Sequence, residues 1–334
     1  MTSIAARPVQ DALRFDPPTP VDATELMKSV AALELPAAYE PFIALYQTVG
    51  KRNVFLWRWV HQGLVLTTLP TVDPAHRDRV LLAKFLGVMF DVLLDDVADV
   101  RRDYAFLQQL IRIPFAPHRV DRSLVKPDDV AYLEVTEQVW AAIAAETEQL
   151  PRYAELADLW EFDYGQLLNC MRYAVVTMND PRRINSTEHD LYQPHNMHMM
   201  INGTIDLMAS PGFDLAEVGR LREVLWSGQM MGRIGNMMTT WQREIADGDL
   251  TSGVFCRALD AGALTPEDLV DPDKASVERR IIESQIEQGL FREWAKRRTQ
   301  VAEHGQRLRS MSVQGLLDGL QRLFQMHLAS RGLK

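Results

Sequence analysis

The sequence predicts an all-α fold, and three observations carry that prediction. Apolar residues recur at helical spacing along most of the chain, no run keeps the alternation of a β-strand, and proline repeatedly stands in a first-turn position. No internal repeat of solenoid period is present. The expectation is a single helical bundle of about ten or more helices over residues 23–334.

Residues 1–22 read as a flexible tail, because Pro8, Pro17, Pro18 and Pro20 remove helix donors and favour extended chain; a segment that orders over an active site is the alternative. Thr24 is a candidate cap for a helix running through Leu33, and Pro36 starts another that runs through Tyr46. Asp73-Pro74 pairs an N-cap with a first-turn proline and opens a helix through Asp99. Pro114, Pro117 and Pro127 mark a loop, after which Ala131 to Leu150 is rich in good helix formers. Pro151 opens the helix that carries Trp160 and Phe162. Residues 179–190 are polar and loop-like, and Met197 to Met208 is a short apolar helix. Asp214 to Ile245 is long and amphipathic until Asp247-Gly248-Asp249 breaks it. Thr265-Pro266 starts a further helix, Ala275 to Leu308 reads as one long charged helix, and Val313 to Ser330 as the last.

A chain of 334 residues with 47% hydrophobic side chains can bury a substantial core. The net charge of −9 and the lack of a basic stripe argue against nucleic acid as a partner. An acidic protein can still bind an anionic substrate where cations neutralise the site. Two cysteines, Cys170 and Cys256, do not make a disulfide framework and suggest a reducing cytosol. The N-terminus lacks a signal-peptide apolar stretch. The greasiest segment, Leu81 to Leu94, is too short to span a bilayer and contains Lys84 and Asp91. A cytoplasmic protein without stable membrane insertion is expected, although it could touch a membrane to collect a lipid-like substrate.

Two polar constellations interrupt otherwise apolar helices. The first is Asp95-Asp96-Val97-Ala98-Asp99, a DDxxD motif. A helix advances about 100° per residue, so Asp91, Asp95 and Asp99 fall on one stripe with Asp96 beside it. Like charges one turn apart destabilise a helix unless a cation or simple exposure relieves them. The second is Asn236, Thr240 and Glu244, which also share one face. Amide carbonyl, hydroxyl and carboxylate are three hard oxygen donors of the kind a magnesium-type ion binds. Either set alone is compatible with a solvated helix face. The two together, Asp-rich first and Asn-Thr-Glu second, point to a divalent metal cluster.

With these motifs the chain resembles the class I terpene synthases. That family carries a DDxxD motif on one helix and an Asn/Asp-x-x-Ser/Thr-x-x-x-Glu triad on a facing helix; here these match Asp95–Asp99 and Asn236 to Glu244. The resemblance implies a bundle of the class I terpenoid synthase type with a central apolar cavity. It implies three Mg2+ ions, with Mn2+ able to substitute: Asp95 and Asp99 hold two of them, and Asn236, Thr240 and Glu244 the third. Asp95, Asp96, Asp99, Asn236, Thr240 and Glu244 form the implied catalytic set. Arg243 matches a basic residue that meets the substrate diphosphate. Phe85, Met89 and Trp241 are candidate cavity walls that stabilise cations, with Phe90, Met200 and Met231 beside them. The implied substrate is a prenyl diphosphate, ionised and then cyclised or rearranged, and a homodimer is possible.

The match departs from the family at the diphosphate-sensing arginine. The stretch Tyr192 to Gly203 has none, and His195, Asn196 or His198, or Arg182 and Arg183 from the loop, are the candidate substitutes. The C-terminal Arg-Tyr pair is also missing, with Arg331 the only stand-in. The missing sensor, and the stretch from Gly235 to Gly253, favour a C20 substrate, including a bicyclic copalyl-type diphosphate. A sesquiterpene synthase acting on farnesyl diphosphate, an ionising enzyme that does not cyclise, and a non-catalytic cation-binding helical protein are the alternatives. A prenyl chain elongase would need a second Asp-rich motif where the Asn-Thr-Glu triad stands.

Overall fold

The structure is a computed structural model and describes residues 22–270 and 273–331. The expected tail over residues 1–22 lies outside the described residues except for Asp22, whose carboxylate accepts from the Thr24 and Glu25 amides and caps the first helix. Asp22, rather than Thr24, is therefore the cap. A carboxylate two residues earlier reaches two of the orphan amides of the first turn.

Among the described residues there are fifteen α-helices and no strand. In chain order they are α1 Ala23–Ala31, α2 Glu40–Gln47, α3 Val54–Thr67, α4 Arg77–Asp95, α5 Tyr104–Leu110, α6 Val130–Glu148, α7 Tyr153–Asn179 and α8 Ser186–Tyr192. They continue with α9 Met199–Met208, α10 Val218–Asp247, α11 Gly253–Asp260, α12 Pro266–Val270, α13 Lys274–Glu283, α14 Ile286–Gly305 and α15 Gln314–Ala329. Helices α3, α5, α8 and α11 have no counterpart in the reading from sequence, which took residues 179–190 as loop. Each starts from a side-chain cap: Asn53, Asp103, Asn185 and Ser252. The single charged helix expected over Ala275 to Leu308 is instead two, broken at Gln285, which takes the left-handed conformation at φ 57°.

The site rests on helices packed from several sides. α10 packs chiefly on α14 and also on α15 and α9; α4 packs on α6 and α3. One contiguous apolar core runs from Tyr39 through Phe90, Trp140 and Trp241 to Phe324. Leu26, Met27 and Val30 of α1 pack separately onto Met326 of α15. Two buried ion pairs tie the layers. Lys84 of α4 meets Asp206 of α9, whose other oxygen accepts from the Leu69 amide at 2.9 Å. Asp163 of α7 holds Arg222 of α10 at 2.7 Å and the Thr204 hydroxyl at 2.7 Å. α15 crosses α3 so closely that a Cβ on Gly319 would stand 1.9 Å from the Leu66 carbonyl oxygen, so only glycine fits there.

The end of α4 departs from the expected regular helix through Asp99. Residues 96–101 form a π-helical turn that closes at Arg102, in the left-handed region at φ 53°. The Leu93 carbonyl just before that turn accepts from the Tyr132 hydroxyl of α6 at 2.7 Å. A π turn widens the helix by one residue, and such insertions recur at functional sites. Among the described residues no helix is long and apolar enough to cross a membrane.

Candidate functional site

A cavity of about 260 Å3 opens between α3, α4, α9, α10 and α15. Its lining contains Asp95 and Asp99 from one side and Asn236, Thr240, Arg243 and Glu244 from the other. The two arrays separated by well over a hundred positions in the chain thus share one hollow. An apolar part of the wall is formed by Leu56, Trp59, Val60, Leu64, Val88, Val92, Met197, Met199 and Leu323.

The charged groups do not balance. Five carboxylates (Asp91, Asp95, Asp99, Glu244 and Asp249) line the cavity with three guanidiniums (Arg52, Arg233 and Arg243), a formal excess of two negative charges. Burial and mutual repulsion both favour protonation. The Asp95 carboxyl is pushed up to about 7, by burial first and then by Asp91, with Arg52 opposing. Asp99 is raised well above its ordinary value by burial, Asp95 and Asp249. The Glu244 carboxyl is likewise pushed up to about 7, by burial and by Asp249, against the Thr240 hydroxyl and Arg233. Burial also raises Asp91, and His198 pulls it back.

The hydrogen bonds aim the donors of α10 inward. The Thr240 hydroxyl donates to the Asn236 main-chain carbonyl at 2.9 Å, which leaves its lone pairs free. Arg233 donates to Asn236 Oδ1 at 3.3 Å and to the Thr251 carbonyl at 2.8 Å. One turn beyond Glu244, Gly248 ends α10 at φ 70° and the Asp249 amide returns to the Glu244 carbonyl at 2.9 Å, so Asp249 faces the cavity. Buried oxygens of Asp91, Asp99, Glu244 and Asn196 have no hydrogen-bond partner among the described residues.

Those orphaned oxygens and the surplus of carboxylates fit divalent cations. Among the described residues no three His, Cys, Asp or Glu side chains converge into a ready-made cage. Mg2+ is commonly held by one or two carboxylates, with neutral oxygens, waters and substrate phosphate completing the shell.

The other residues singled out from the sequence lie elsewhere. Asp96 turns away from the cavity to Arg52 at 2.6 Å and to the Tyr46 hydroxyl at 3.3 Å. Phe85 stacks on Tyr39 at 3.9 Å, and Met89 is fully buried in the core. Trp241 donates from Nε1 to Glu287 at 2.7 Å, on the side of α10 that meets α14. These three were expected as walls, yet none lines the cavity, nor do Phe90, Met200 and Met231. Their helical spacing serves the core, and the walls come from α3, α15 and the opposite edge of α4. Asn196 does line the cavity, whereas His195 packs against Trp226 at 5.3 Å and burial lowers its pKa to about 4. Arg331 donates to the Met238 carbonyl at 2.6 Å and to Glu287 at 3.0 Å, away from the lining. Arg182 and Arg183 border a second hollow with Arg102 and Gly248.

Arg52, Arg233 and Asp249 were not anticipated as site residues. Arg233 had a legible signal, since it precedes Asn236 by three residues on one helix face. Arg52 had none, because only the tertiary fold brings α3's leading loop to α4.

No family model and no curated protein matches the chain. Among the solved structures similar to the chain are two of one enzyme. A farnesyl diphosphate synthase of T. brucei is 14% identical with a TM-score of 0.51, over 90% of this chain and 94% of that one. The same enzyme complexed with a bisphosphonate is 13% identical with a TM-score of 0.49, over 93% and 96%. At such low identity the first likeness establishes the architecture: the chain has the helical isoprenoid diphosphate synthase fold.

Proposed function

We propose that the protein is a class I terpene synthase that ionises a prenyl diphosphate and converts the resulting cation, with a C20 substrate favoured. The observation that carries this reading is one cavity lined by both oxygen arrays and by a stretch of apolar wall from Leu56, Trp59, Val60 and Leu323. In it Asp95 and Asp99 from α4, and Asn236, Thr240 and Glu244 from α10, are the residues that would hold Mg2+. Bound there, the ions would offset the charge that develops on the leaving diphosphate. Arg243 and Arg233 offer guanidinium donors to the same headgroup. The apolar wall would hold the hydrocarbon and keep water from the cation, and Trp59 presents an aromatic face there.

The similar T. brucei structure is a farnesyl diphosphate synthase by its title, which makes prenyl chain elongation the second reading. The face of α10 on the cavity carries Asn236, Thr240 and Glu244 in place of a second Asp-rich motif, and this favours a synthase over an elongase. The test is incubation of purified protein and Mg2+ with geranylgeranyl, farnesyl or copalyl diphosphate, with and without isopentenyl diphosphate. Pyrophosphate release without isopentenyl diphosphate, and a hydrocarbon or alcohol by mass spectrometry, are expected. Background release from all three substrates would end the reading, and release only with isopentenyl diphosphate would replace it by elongation.

A further inference from the structure

One position on the cavity wall carries no side chain and has no packing reason to lack one. α3 lines the cavity with Leu56, Trp59, Val60, Gly63, Leu64 and Thr67, a helical face in steps of three and four residues. Gly63 is the one member of that face without a side chain. Glycine inside a helix is disfavoured relative to alanine, so its presence there calls for a reason. Elsewhere in this fold the reason is contact. A Cβ on Gly203 would drive into Leu225, one on Gly235 would stand 2.9 Å from His327 Cδ2, and one on Gly319 is barred by the Leu66 carbonyl. At Gly63 the Cβ would meet only Leu323 Cδ1, at an ordinary van der Waals distance of 3.5 Å. Leu323 is itself a wall residue of the cavity.

The position is remote from the acidic arrays. α3 begins beside Arg52, which reaches Asp96, and ends at Thr68, whose hydroxyl accepts from Lys84 Nζ at 3.2 Å. Lys84 precedes Asp95 by eleven residues on α4, about 16 Å along the axis. α3 therefore runs antiparallel to α4, away from the end that holds Asp95, and Gly63 lies nine residues beyond Val54, about 14 Å along α3. Gly232 of α10 is a second wall position without a side chain, with Met197 atoms nearest its Cβ at 3.7–3.8 Å, but it stands one turn from Asn236.

We propose that Gly63 is a specificity-determining residue: the space its missing side chain leaves open takes the far end of a C20 hydrocarbon. The inference rests on the diphosphate-ionising reading of the cavity and assigns its substrate size to one residue. With the headgroup held at Asp95 and Asn236, the chain is measured from a fixed end, so the tail of the longest chain that fits is what meets Gly63. A side chain there would project toward Leu323, so bulk can be traded between these two positions.

Gly63→Ala, Gly63→Leu and the double variant Gly63→Leu with Leu323→Ala test the assignment. Each is compared with wild type in Mg2+ with farnesyl, geranylgeranyl and copalyl diphosphate. The measurements are the thermal shift each diphosphate induces and kcat/KM for pyrophosphate release. Gly63→Ala should melt about 1–3 °C above wild type, since the methyl gains helix propensity and meets no obstacle. Gly63→Leu should lose about 10–100-fold in kcat/KM for the C20 diphosphates and less than about threefold for farnesyl diphosphate, and the double variant should regain most of the loss. The ligand-induced thermal shifts should follow the same order. If Gly63→Leu does not fold by circular dichroism, Gly63→Ala decides, with a C20-to-farnesyl ratio lowered by about threefold or more. C20 and farnesyl values that fall in parallel or stay unchanged in the folded variants, or a Gly63→Ala that melts below wild type, overturn the proposal while leaving the ionising function intact. A wild type that turns over farnesyl diphosphate and refuses both C20 compounds does the same. A wild type that releases no pyrophosphate overturns the functional reading itself.

Discussion

Arg52 donates from Nη2 at 2.6 Å and from Nε at 3.2 Å to Oδ1 of Asp96, and this contact gives two adjacent aspartates different surroundings. Asp95 is left facing the cavity with the acidic array, while Asp96 is neutralised at its edge. Asp95→Asn is therefore expected to lower pyrophosphate release by about 10²–10³-fold. Asp96→Asn should lower it by less than about tenfold. Steady-state release with Mg2+ checks both, and equal losses would show that Asp96 also serves the metal.

The raised carboxyls predict an inversion of pH dependence by metal. In metal-free protein Asp95 and Glu244 titrate near 7, above their ordinary values near 4. The folded state then binds more protons than the unfolded one between about pH 4 and 7, so stability falls as pH rises through that window. Divalent cations bind the deprotonated oxygens, so Mg2+ should raise Tm at pH 8 and have little effect at pH 5.5. Thermal melts with Mg2+ or EDTA at both pH values read this directly.

Arg233 is buried between the arrays and offsets charge on Asp91, Asp99 and Glu244. Arg233→Met removes that charge and the donor that orients Asn236. It is expected to cut pyrophosphate release by about 10–100-fold and to weaken Mg2+ dependence by a similar factor. A Mg2+ titration of the rate separates the two effects.

Away from the cavity, Lys84→Met leaves Asp206 charged and buried beside the Leu69 amide. Loss of one partner from such a pair costs about 3–5 kcal/mol. Urea unfolding should show a lower midpoint, and the double variant Lys84→Met with Asp206→Leu should recover part of it.

Gly319→Ala gains up to about 1 kcal/mol of helix propensity, but its Cβ would drive into the Leu66 carbonyl, a backbone atom that cannot rotate aside. A net destabilisation of about 1–3 kcal/mol is expected by the same measurement.

The all-α class and most of the long helices were legible in the chain because apolar spacing and first-turn prolines are local signals. The two oxygen arrays were legible for the same reason, since four-residue steps place donors on one face wherever a helix forms. The short helices α5, α8 and α11 were not, because short segments take their helicity from packing rather than from their own pattern, and α3, although 14 residues long, was not read as a helix either. The π turn over 96–101 was equally silent, as it depends on how α4 ends against its neighbours.

What the sequence determined by itself was therefore which donors share a helix face. What only the tertiary structure decided was which faces meet. Asn236 and Asp95 line one cavity because α10 and α4 are held there through α9, the Lys84–Asp206 pair and the shared core. Phe85, Met89 and Trp241 bear the same apolar stamp as Trp59 and Leu323, yet only the latter two reach the cavity. Burial in a core and exposure to a hollow demand the same chemistry of a side chain, so the distinction is made by packing geometry alone.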